Sequence, residues 1–213
     1  MKKITVVIVD DHKLLRETLA NLFSENSEIE IIGESGTSEE AFKIIKDKKP
    51  DIVLLDINMP KGSGIDAMPV IKEVSPATRI IVVSMYNQPA YAKKMMKLGA
   101  KAYVTKNSSH KELLLAIREV MRGKLYICTE LKEIISNKDL KVDTNSPDLS
   151  GLSYREIEII SHIKNGLSSK EIAVKLGIST KTIEVHRYNI LRKLKLNNTA
   201  SLINFINLTN PSF

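Results

Sequence analysis

The stretch IVLLDINMP, residues 52–60, is the part of the sequence that decides the fold. Its four leading aliphatic residues stand between polar segments, and a run of this kind is typical of a strand covered on both faces, as in a parallel sheet. The strand delivers one carboxylate, Asp56, to its carboxyl end, where open α/β sheets bind their ligands. A buried charge there needs partners. The alternative is an aspartate that only forms the turn before Asn58 and Pro60.

The composition is typical of an ordinary soluble protein with two domains. The chain has 213 residues, which exceeds the usual size of a single core. No apolar run is long enough to cross a bilayer, and the first residues contain no cleavage site, so we expect a cytoplasmic protein that does not bind a membrane. The single cysteine, Cys128, excludes an internal disulfide and a cysteine-rich metal site.

The net charge of +7 is concentrated near the end of the chain. Residues 150–213 contain nine Lys and Arg against four Asp and Glu, whereas residues 1–123 contain 19 against 16 and residues 124–149 four against five. A small basic unit after a nearly neutral one indicates a nucleic-acid partner, although solvated lysines alone would give a similar count.

Five apolar strands alternate with five amphipathic helices over the first 123 residues. We expect the strands at residues 4–9, 29–34, 52–56, 79–84 and 102–105. The pairs Thr37 with Glu40 and Ser109 with Glu112 are typical of helix capping boxes. This alternation predicts an α/β fold with a doubly wound, five-stranded parallel sheet. Five groups would then converge on one edge of the sheet, at the carboxyl ends of its strands: Asp10, Asp11, Asp56, Ser84 and Lys106.

These five groups suggest metal-assisted phosphoryl chemistry. Carboxylates that lie close together repel one another unless a cation joins them, and oxygen ligands are those that Mg²⁺ prefers. An aspartate such as Asp56 can attack a phosphoryl group when a metal and a positive side chain neutralise the phosphoryl oxygens. Lys106 suits that role, and the Ser84 hydroxyl could donate to a bound phosphoryl oxygen.

Residues 4–122 resemble the flavodoxin-like receiver domain of two-component response regulators. The matching positions are Asp10-Asp11, Asp56, Ser84, Tyr103 and Lys106. The resemblance implies that a histidine kinase phosphorylates Asp56. It also implies that Mg²⁺ is held by Asp10 or Asp11, by Asp56 and by the backbone carbonyl of Asn58.

The resemblance further implies that Ser84 and Tyr103 form a switch pair. Phosphorylation of Asp56 adds charge and strong acceptors, which can draw the Ser84 hydroxyl inward and vacate space for the Tyr103 ring. The face of the sheet on that side would then change its shape.

Residues 124–149 lose the periodicity of the preceding segments. Their composition predicts a linker, within which residues 130–136 could form a short helix.

Residues 150–213 form a small all-α domain by their sequence pattern. Ser153 with Glu156 and Ser168 with Glu171 are capping boxes that begin two helices. A tight turn at residues 177–179 then precedes a longer helix, from about residue 180 to residue 195. Two helices joined by a short turn that contains glycine are typical of a helix-turn-helix.

The longer helix has two chemically different sides at 100° per residue. Ile183, Ile190, Leu191 and Leu194 fall on the side expected to face the core. The outward side carries Lys181, Val185, Tyr188 and Arg192, with Glu184 beside them. A helix of this kind fits the major groove of DNA, and basic residues around it, among them Lys170, Arg187 and Lys193, could contact phosphates.

This second domain resembles the LuxR-type DNA-binding domain of NarL/FixJ response regulators. The matching segments are Leu152-Ser153, Arg155-Glu156, Gly166-Leu167-Ser168, Glu171-Ile172-Ala173, Ile178-Ser179, Lys181-Thr182-Ile183, Val185-His186, Leu191 and Lys193-Leu194. The resemblance implies that Lys181, Glu184, Val185 and Tyr188 read bases. It also implies that two copies pair through the last helix, residues 199–208.

The sequence therefore predicts a DNA-binding transcription regulator, not an enzyme, that is controlled by phosphorylation and binds double-stranded DNA as a homodimer. One alternative is a regulator of the same fold that works without phosphorylation, against which the intact acid pocket argues. The other is a small phosphatase or another flavodoxin-like enzyme. No second acid stands beside Asp56 to act as a general acid, and such an enzyme would leave the DNA-binding domain unexplained.

Overall fold

The computed structural model describes residues 3–59, 64–139 and 152–209. The chain divides into two compact units, residues 1–135 and 136–213. The strands of the first unit are β1 (Ile4–Val9), β2 (Ile29–Ser35), β3 (Ile52–Leu55), β4 (Arg79–Ser84), β5 (Ala102–Thr105) and β6 (Tyr126–Ile127). They form one parallel sheet in the order β2-β1-β3-β4-β5-β6.

Helices alternate with these strands, as the sequence predicts. They are α1 (Lys13–Ser24), α2 (Ser38–Lys48), α3 (Gly64–Val74), α4 (Pro89–Lys97), α5 (His110–Met121) and α6 (Thr129–Asp139). The four residues of β3 are at most 1% exposed. Their continuous apolar character reflects this burial, because a central parallel strand is covered by helices on both faces.

The register of the sheet places the functional positions at one edge. Val9 pairs with Leu55, Leu55 pairs with Val82, and Ser84 pairs with Thr105. The residues that follow β1, β3 and β5 therefore leave the sheet at the same edge. This shared edge is what the sequence pattern predicted for the converging groups.

The prediction of five strands is wrong by one. Residues of β6 pair with β5, Ala102 with Tyr126 and Tyr103 with Ile127. A strand of two residues is too short to show a periodicity, so the pattern of the sequence could not reveal it. The predicted linker thus begins within the sheet, and the short helix expected at residues 130–136 is confirmed as part of α6. Residues 140–149 of the predicted linker lie outside the described residues.

The second unit is a helix-turn-helix domain made of α7 (Tyr154–Lys164), α8 (Ser169–Leu176), α9 (Thr180–Lys193) and α10 (Thr199–Thr209). Both predicted capping boxes are present, at Ser153 with Glu156 and at Ser168 with Glu171. Gly177 ends α8 with φ of +64°, a left-handed conformation that glycine adopts without steric cost. The core is aliphatic and includes Ile157, Ile160, Ile172, Ile183 and Ile190.

A search of the described residues for membrane spans found no helix with the length and apolar character needed to cross a bilayer.

Candidate functional site

The carboxyl edge of the sheet holds an acid cluster formed by Asp10, Asp11 and Asp56. Backbone hydrogen bonds between neighbouring strands fix two of its members: the Asp56 N–H donates to the Val9 carbonyl at 2.8 Å, and the Asp10 N–H donates to the Ser35 carbonyl at 3.1 Å. The acid cluster is therefore positioned by the sheet and not by a loose loop.

Lys106 joins two members of the acid cluster. Its Nζ lies 2.7 Å from Asp10 Oδ2 and 2.7 Å from Asp56 Oδ2. The side chains of Lys106, Asp10 and Asp56 are 7%, 4% and 0% exposed, so this ion pair is buried. Lys106 follows β5, and its backbone N–H donates to the Ser84 carbonyl at 2.7 Å, which ties it to the end of β4.

Burial and the neighbouring charges shift the pKa of both Asp56 and Lys106. Burial raises the pKa of Asp56; the hydrogen bond and charge of Lys106 oppose the shift, and the nearby charge of Asp10 adds to it. Burial alone would lower the pKa of Lys106, but the bonds to Asp10 and Asp56 outweigh it and raise that pKa. Lys106 is thus held in its charged form, whereas ionised Asp56 is disfavoured.

His12 also touches the acid cluster, a contact that the sequence analysis missed. Its Nδ1 lies 3.0 Å from both Asp10 Oδ1 and Asp11 Oδ1, and 3.3 Å from Lys106 Nζ. The side chain is 60% exposed, so solvent reaches the imidazole. The one available signal was its position directly after the acid pair at the end of β1.

The acid cluster has the geometry and the chemistry that a hard divalent cation needs. Ligand atoms of Asp10, Asp11, His12 and Asp56 all lie within 4.8 Å of one another. Asp11 Oδ1 is buried and, among the described residues, makes no hydrogen bond of good geometry, although His12 Nδ1 is an ion-pair neighbour. A buried carboxylate oxygen in this situation suits Mg²⁺. The Asn58 backbone N–H donates to Asp56 Oδ1 at 2.9 Å, so Asn58 also borders the cluster.

Ser84 and Tyr103, the predicted switch pair, both bind the loop that follows β4. Ser84 is fully buried, and its Oγ accepts a hydrogen bond from the Tyr86 N–H at 3.2 Å. The Tyr103 hydroxyl donates to the Tyr86 carbonyl at 2.9 Å, and its ring is 0% exposed. This burial raises the pKa of Tyr103. The Tyr103 ring is thus buried while Ser84 still binds the Tyr86 N–H.

The helix α9 shows the two sides expected of a recognition helix. Ile183 and Ile190 are 0% exposed and face the core, whereas Val185 and Tyr188 are 54% and 64% exposed. Three further predicted contact residues on the outward side, Lys181, Glu184 and Arg192, are also exposed.

The basic residues expected beside α9 differ from one another in their surroundings. Lys170 is exposed on α8. Arg187 is half-buried, and one of its guanidinium nitrogens donates to Thr199 Oγ1 at 3.5 Å. Lys193 is exposed, and its Nζ lies 2.7 Å from the carboxylate of Glu156, so its charge has a partner within the domain.

Both halves of the chain match known families. Residues 6–118 match the family described as "Response regulator receiver domain", and residues 150–206 match the family described as "Bacterial regulatory proteins, luxR family". The chain belongs to the two-component response regulators. The family consists of DNA-binding transcription regulators and not of enzymes, and its receiver domain takes its phosphoryl group from a histidine kinase.

Relatives of similar length support this assignment. The chain is 34% identical over 206 residues to "Oxygen regulatory protein NreC" from Staphylococcus aureus, and the alignment covers 94% of this chain and 95% of the relative. Among solved structures, the RcsB response regulator of Salmonella typhimurium is 25% identical, with a TM-score of 0.63 and coverage of 98% and 100% of the two chains. An RcsB–DNA complex is also 25% identical, with a TM-score of 0.61 and coverage of 97% and 98%.

Proposed function

We propose that Asp56 is the phosphoacceptor of this response regulator. The observation that carries the proposal is the buried contact at 2.7 Å between Lys106 Nζ and Asp56 Oδ2. A carboxylate oxygen of Asp56 attacks the phosphorus of a phosphohistidine on the kinase; a P–O bond forms as the P–N bond breaks, and the imidazole leaves. Lys106 neutralises the charge on the phosphoryl oxygens during this transfer.

We further propose that Asp10, Asp11, Asp56 and the Asn58 carbonyl hold Mg²⁺. The convergence of ligand atoms from the three carboxylates supports this assignment, and Asn58 lies beside them with its backbone N–H on Asp56 Oδ1. When bound, Mg²⁺ supplies positive charge to the phosphoryl oxygens.

The switch that we propose begins at Ser84. Its hydroxyl releases the Tyr86 N–H and donates instead to an oxygen of the phosphoryl group on Asp56. The loop after β4, residues 85–88, then loses one of its anchors, and Tyr103, which binds the Tyr86 carbonyl, moves with it. Phosphorylation thereby shifts the population toward a second arrangement of this loop.

In the second domain, we propose that α9 enters the major groove and that its outward residues read bases. These residues are Lys181, Glu184, Val185, Tyr188 and Arg192, with Lys170 and Arg187 at phosphates. We also propose a homodimer on paired half-sites that pairs through α10, where Ile203 is 43% exposed while Leu202 and Ile206 are buried in their own domain. Leu208, which the sequence analysis placed in the same helix, is not among the described side chains. The DNA complex of RcsB supports this reading.

We assign regulation to the first unit, residues 1–135, and DNA binding to residues 150–213. The regulatory unit extends past residue 123, where the sequence pattern ended it, because β6 belongs to its sheet. Because the proposed target is DNA, we place the protein in the cytoplasm.

A phosphoryl mimic tests the proposal. The wild type and Asp56→Asn are compared with Mg²⁺, with and without beryllofluoride, by sedimentation and by binding to a random library of duplex DNA. Asp47→Asn, at an exposed position on α2, is the matched control. We expect the mimic to promote dimerisation and tighter DNA binding in the wild type and in Asp47→Asn, but not in Asp56→Asn. Equal responses of Asp56→Asn and the wild type, or no response in either, would instead indicate a regulator that works without phosphorylation.

A further inference from the structure

The first turns of α6 are built into the first domain. Glu112 Oε1 accepts hydrogen bonds from the Thr129 N–H at 2.6 Å and from the Tyr126 hydroxyl at 3.2 Å. Leu131 is 0% exposed, and Lys132 Nζ lies 4.4 Å from the centroid of the Tyr126 ring. The helix therefore starts from a fixed position beside β5 and β6, and the chain then continues toward the DNA-binding domain.

One side chain of α6, Glu130, reaches the loop and the strand that border the acid cluster. Its Oε1 accepts a hydrogen bond from Asn87 Nδ2 at 2.9 Å, and its Oε2 accepts one from Thr105 Oγ1 at 3.0 Å. Asn87 lies in the loop after β4, and Thr105 is the residue directly before Lys106. A single carboxylate thus joins α6 to the loop after β4 and to the end of β5.

Among the described contacts, three hydrogen bonds hold the loop after β4, and the Tyr86 ring also stacks on Tyr91. Ser84 Oγ binds the Tyr86 N–H, Tyr103 binds the Tyr86 carbonyl, and Glu130 binds the Asn87 side chain. Thr105, the other partner of Glu130, is 1% exposed and belongs to β5, so it cannot follow a movement of the loop. If the loop shifts when Ser84 turns toward a phosphoryl group, the carboxylate cannot keep both hydrogen bonds.

We propose that Glu130 is a latch that holds α6 in place while Asp56 is unphosphorylated and releases it when the loop after β4 moves. The inference rests on the proposed function of Asp56 as phosphoacceptor. It adds the element through which the conformational change caused by phosphorylation would be transmitted beyond the receiver domain. This element is α6, the last described element before the DNA-binding domain in the sequence. Because coupling between two events is reciprocal, a latch that the phosphoryl group weakens must in turn oppose binding of the phosphoryl mimic.

The test compares Glu130→Ala, Glu130→Gln and Asn87→Ala with the wild type, each with Mg²⁺. Glu133→Ala is the matched control, because Glu133 is an exposed glutamate on the same helix. Hydrogen exchange of the α6 amides is measured with and without beryllofluoride, and titration calorimetry gives the affinity for the mimic. Core amides of β1 and β3 in the same exchange experiment show whether each variant stays folded.

We expect beryllofluoride to accelerate exchange in α6 of the wild type by roughly tenfold, the factor that corresponds to one hydrogen bond to a charged group. Glu130→Ala and Asn87→Ala should exchange at the faster rate without the mimic and bind it roughly tenfold more tightly. Glu130→Gln, which keeps an acceptor but not the charge, should lie between them and the wild type. Glu133→Ala should behave like the wild type.

Two results would overturn the latch while leaving the phosphoacceptor in place. One is binding of the mimic by the wild type without any change of exchange in α6. The other is an unchanged affinity in both Glu130→Ala and Asn87→Ala, since a carboxylate with a merely structural role would affect helix protection alone. If the wild type does not bind the mimic at all, the proposed function fails, and the latch fails with it.

Discussion

Replacing Asp56 by asparagine should stabilise the first domain when no divalent cation is present. Ligand atoms of Asp10 and Asp56 lie within 4.8 Å of one another. Two charges at this distance repel by about 3 kcal/mol at an effective dielectric constant of about 20. The substitution also weakens a charge-assisted bond to Lys106, worth about 1.5–3 kcal/mol, but Lys106 keeps Asp10 as its partner. The substitution also removes the cost of burying the Asp56 anion. We therefore expect the free energy of unfolding of the first domain to rise by about 1 kcal/mol.

The sign of the pH dependence follows from the raised pKa of Asp56, which burial causes in the first place. A carboxyl group with a raised pKa binds its proton more tightly in the folded state than in the unfolded state. It therefore costs stability as the pH rises from the ordinary aspartate value, about 4, through the raised pKa. The advantage of Asp56→Asn should grow as the pH rises from about 4 and should vanish below about pH 4.

Hydrogen exchange of the core amides of β1 and β3 is the suitable assay, because a chain with two domains need not unfold in one step. In EDTA at neutral pH, a gain of about 1 kcal/mol slows exchange through global unfolding roughly fivefold. Asp47→Asn should not change it. Saturating Mg²⁺ should protect the wild type more than Asp56→Asn. Faster exchange in Asp56→Asn than in the wild type in EDTA would refute the reasoning, because the bond to Lys106 would then outweigh the repulsion.

Three further predictions concern other parts of the chain. Gly64→Ala should destabilise the first domain by about 2–3 kcal/mol, because the added Cβ would lie 2.1 Å from the Asp56 carbonyl oxygen; a denaturation midpoint equal to that of the wild type would contradict this. Glu156→Gln should destabilise the second domain by about 1–3 kcal/mol at neutral pH. Burial alone would raise the pKa of Glu156, but the bond from Lys193 outweighs it and holds that pKa below its usual value, so the deficit in thermal stability should shrink below about pH 4. Tyr188→Ala should weaken binding to selected duplexes more than to random DNA, and equal losses on both would exclude base reading at this position.

The edge of the sheet was predictable because each of its determinants is local. A run of β-branched and aliphatic residues followed by an acid predicts a buried strand and a carboxylate at its end. β1 before Asp10 and β3 before Asp56 both have this pattern. The rule that parallel strands share their carboxyl edge then brings these residues together. The exposed side of α9 was predictable for the same reason, since helical periodicity places Val185 and Tyr188 opposite Ile183.

Several contacts that the sequence did not reveal join segments that lie far apart along the chain. Glu130 meets Thr105 and Asn87 across separations of 25 and 43 residues. In the sequence, a glutamate in the first turn of a short helix cannot be told from one whose carboxylate is only solvated. Glu112 is a related case: its position after Ser109 indicated a capping box, but its carboxylate binds the Thr129 N–H at the start of α6. A capping pattern predicts where a helix begins, but it does not predict which group the side chain of the glutamate binds.

The acid cluster has more carboxylates than lysines, and this uneven charge supports the switch that we propose for this edge of the sheet. Three carboxylates meet one lysine, so the ionised site is poorly compensated until a cation arrives. The folded domain thus has a reason to bind Mg²⁺. In the switch that we propose, a phosphoryl group on Asp56 redirects Lys106 and Ser84, and the present partner of Ser84, the Tyr86 N–H, belongs to the loop after β4. Ser84 holds the Tyr86 N–H, and the next residue of the same loop, Asn87, binds Glu130 on α6. In the proposed switch, a change of partners at Asp56 therefore reaches α6 through this short loop, while Thr105 stays in place in β5.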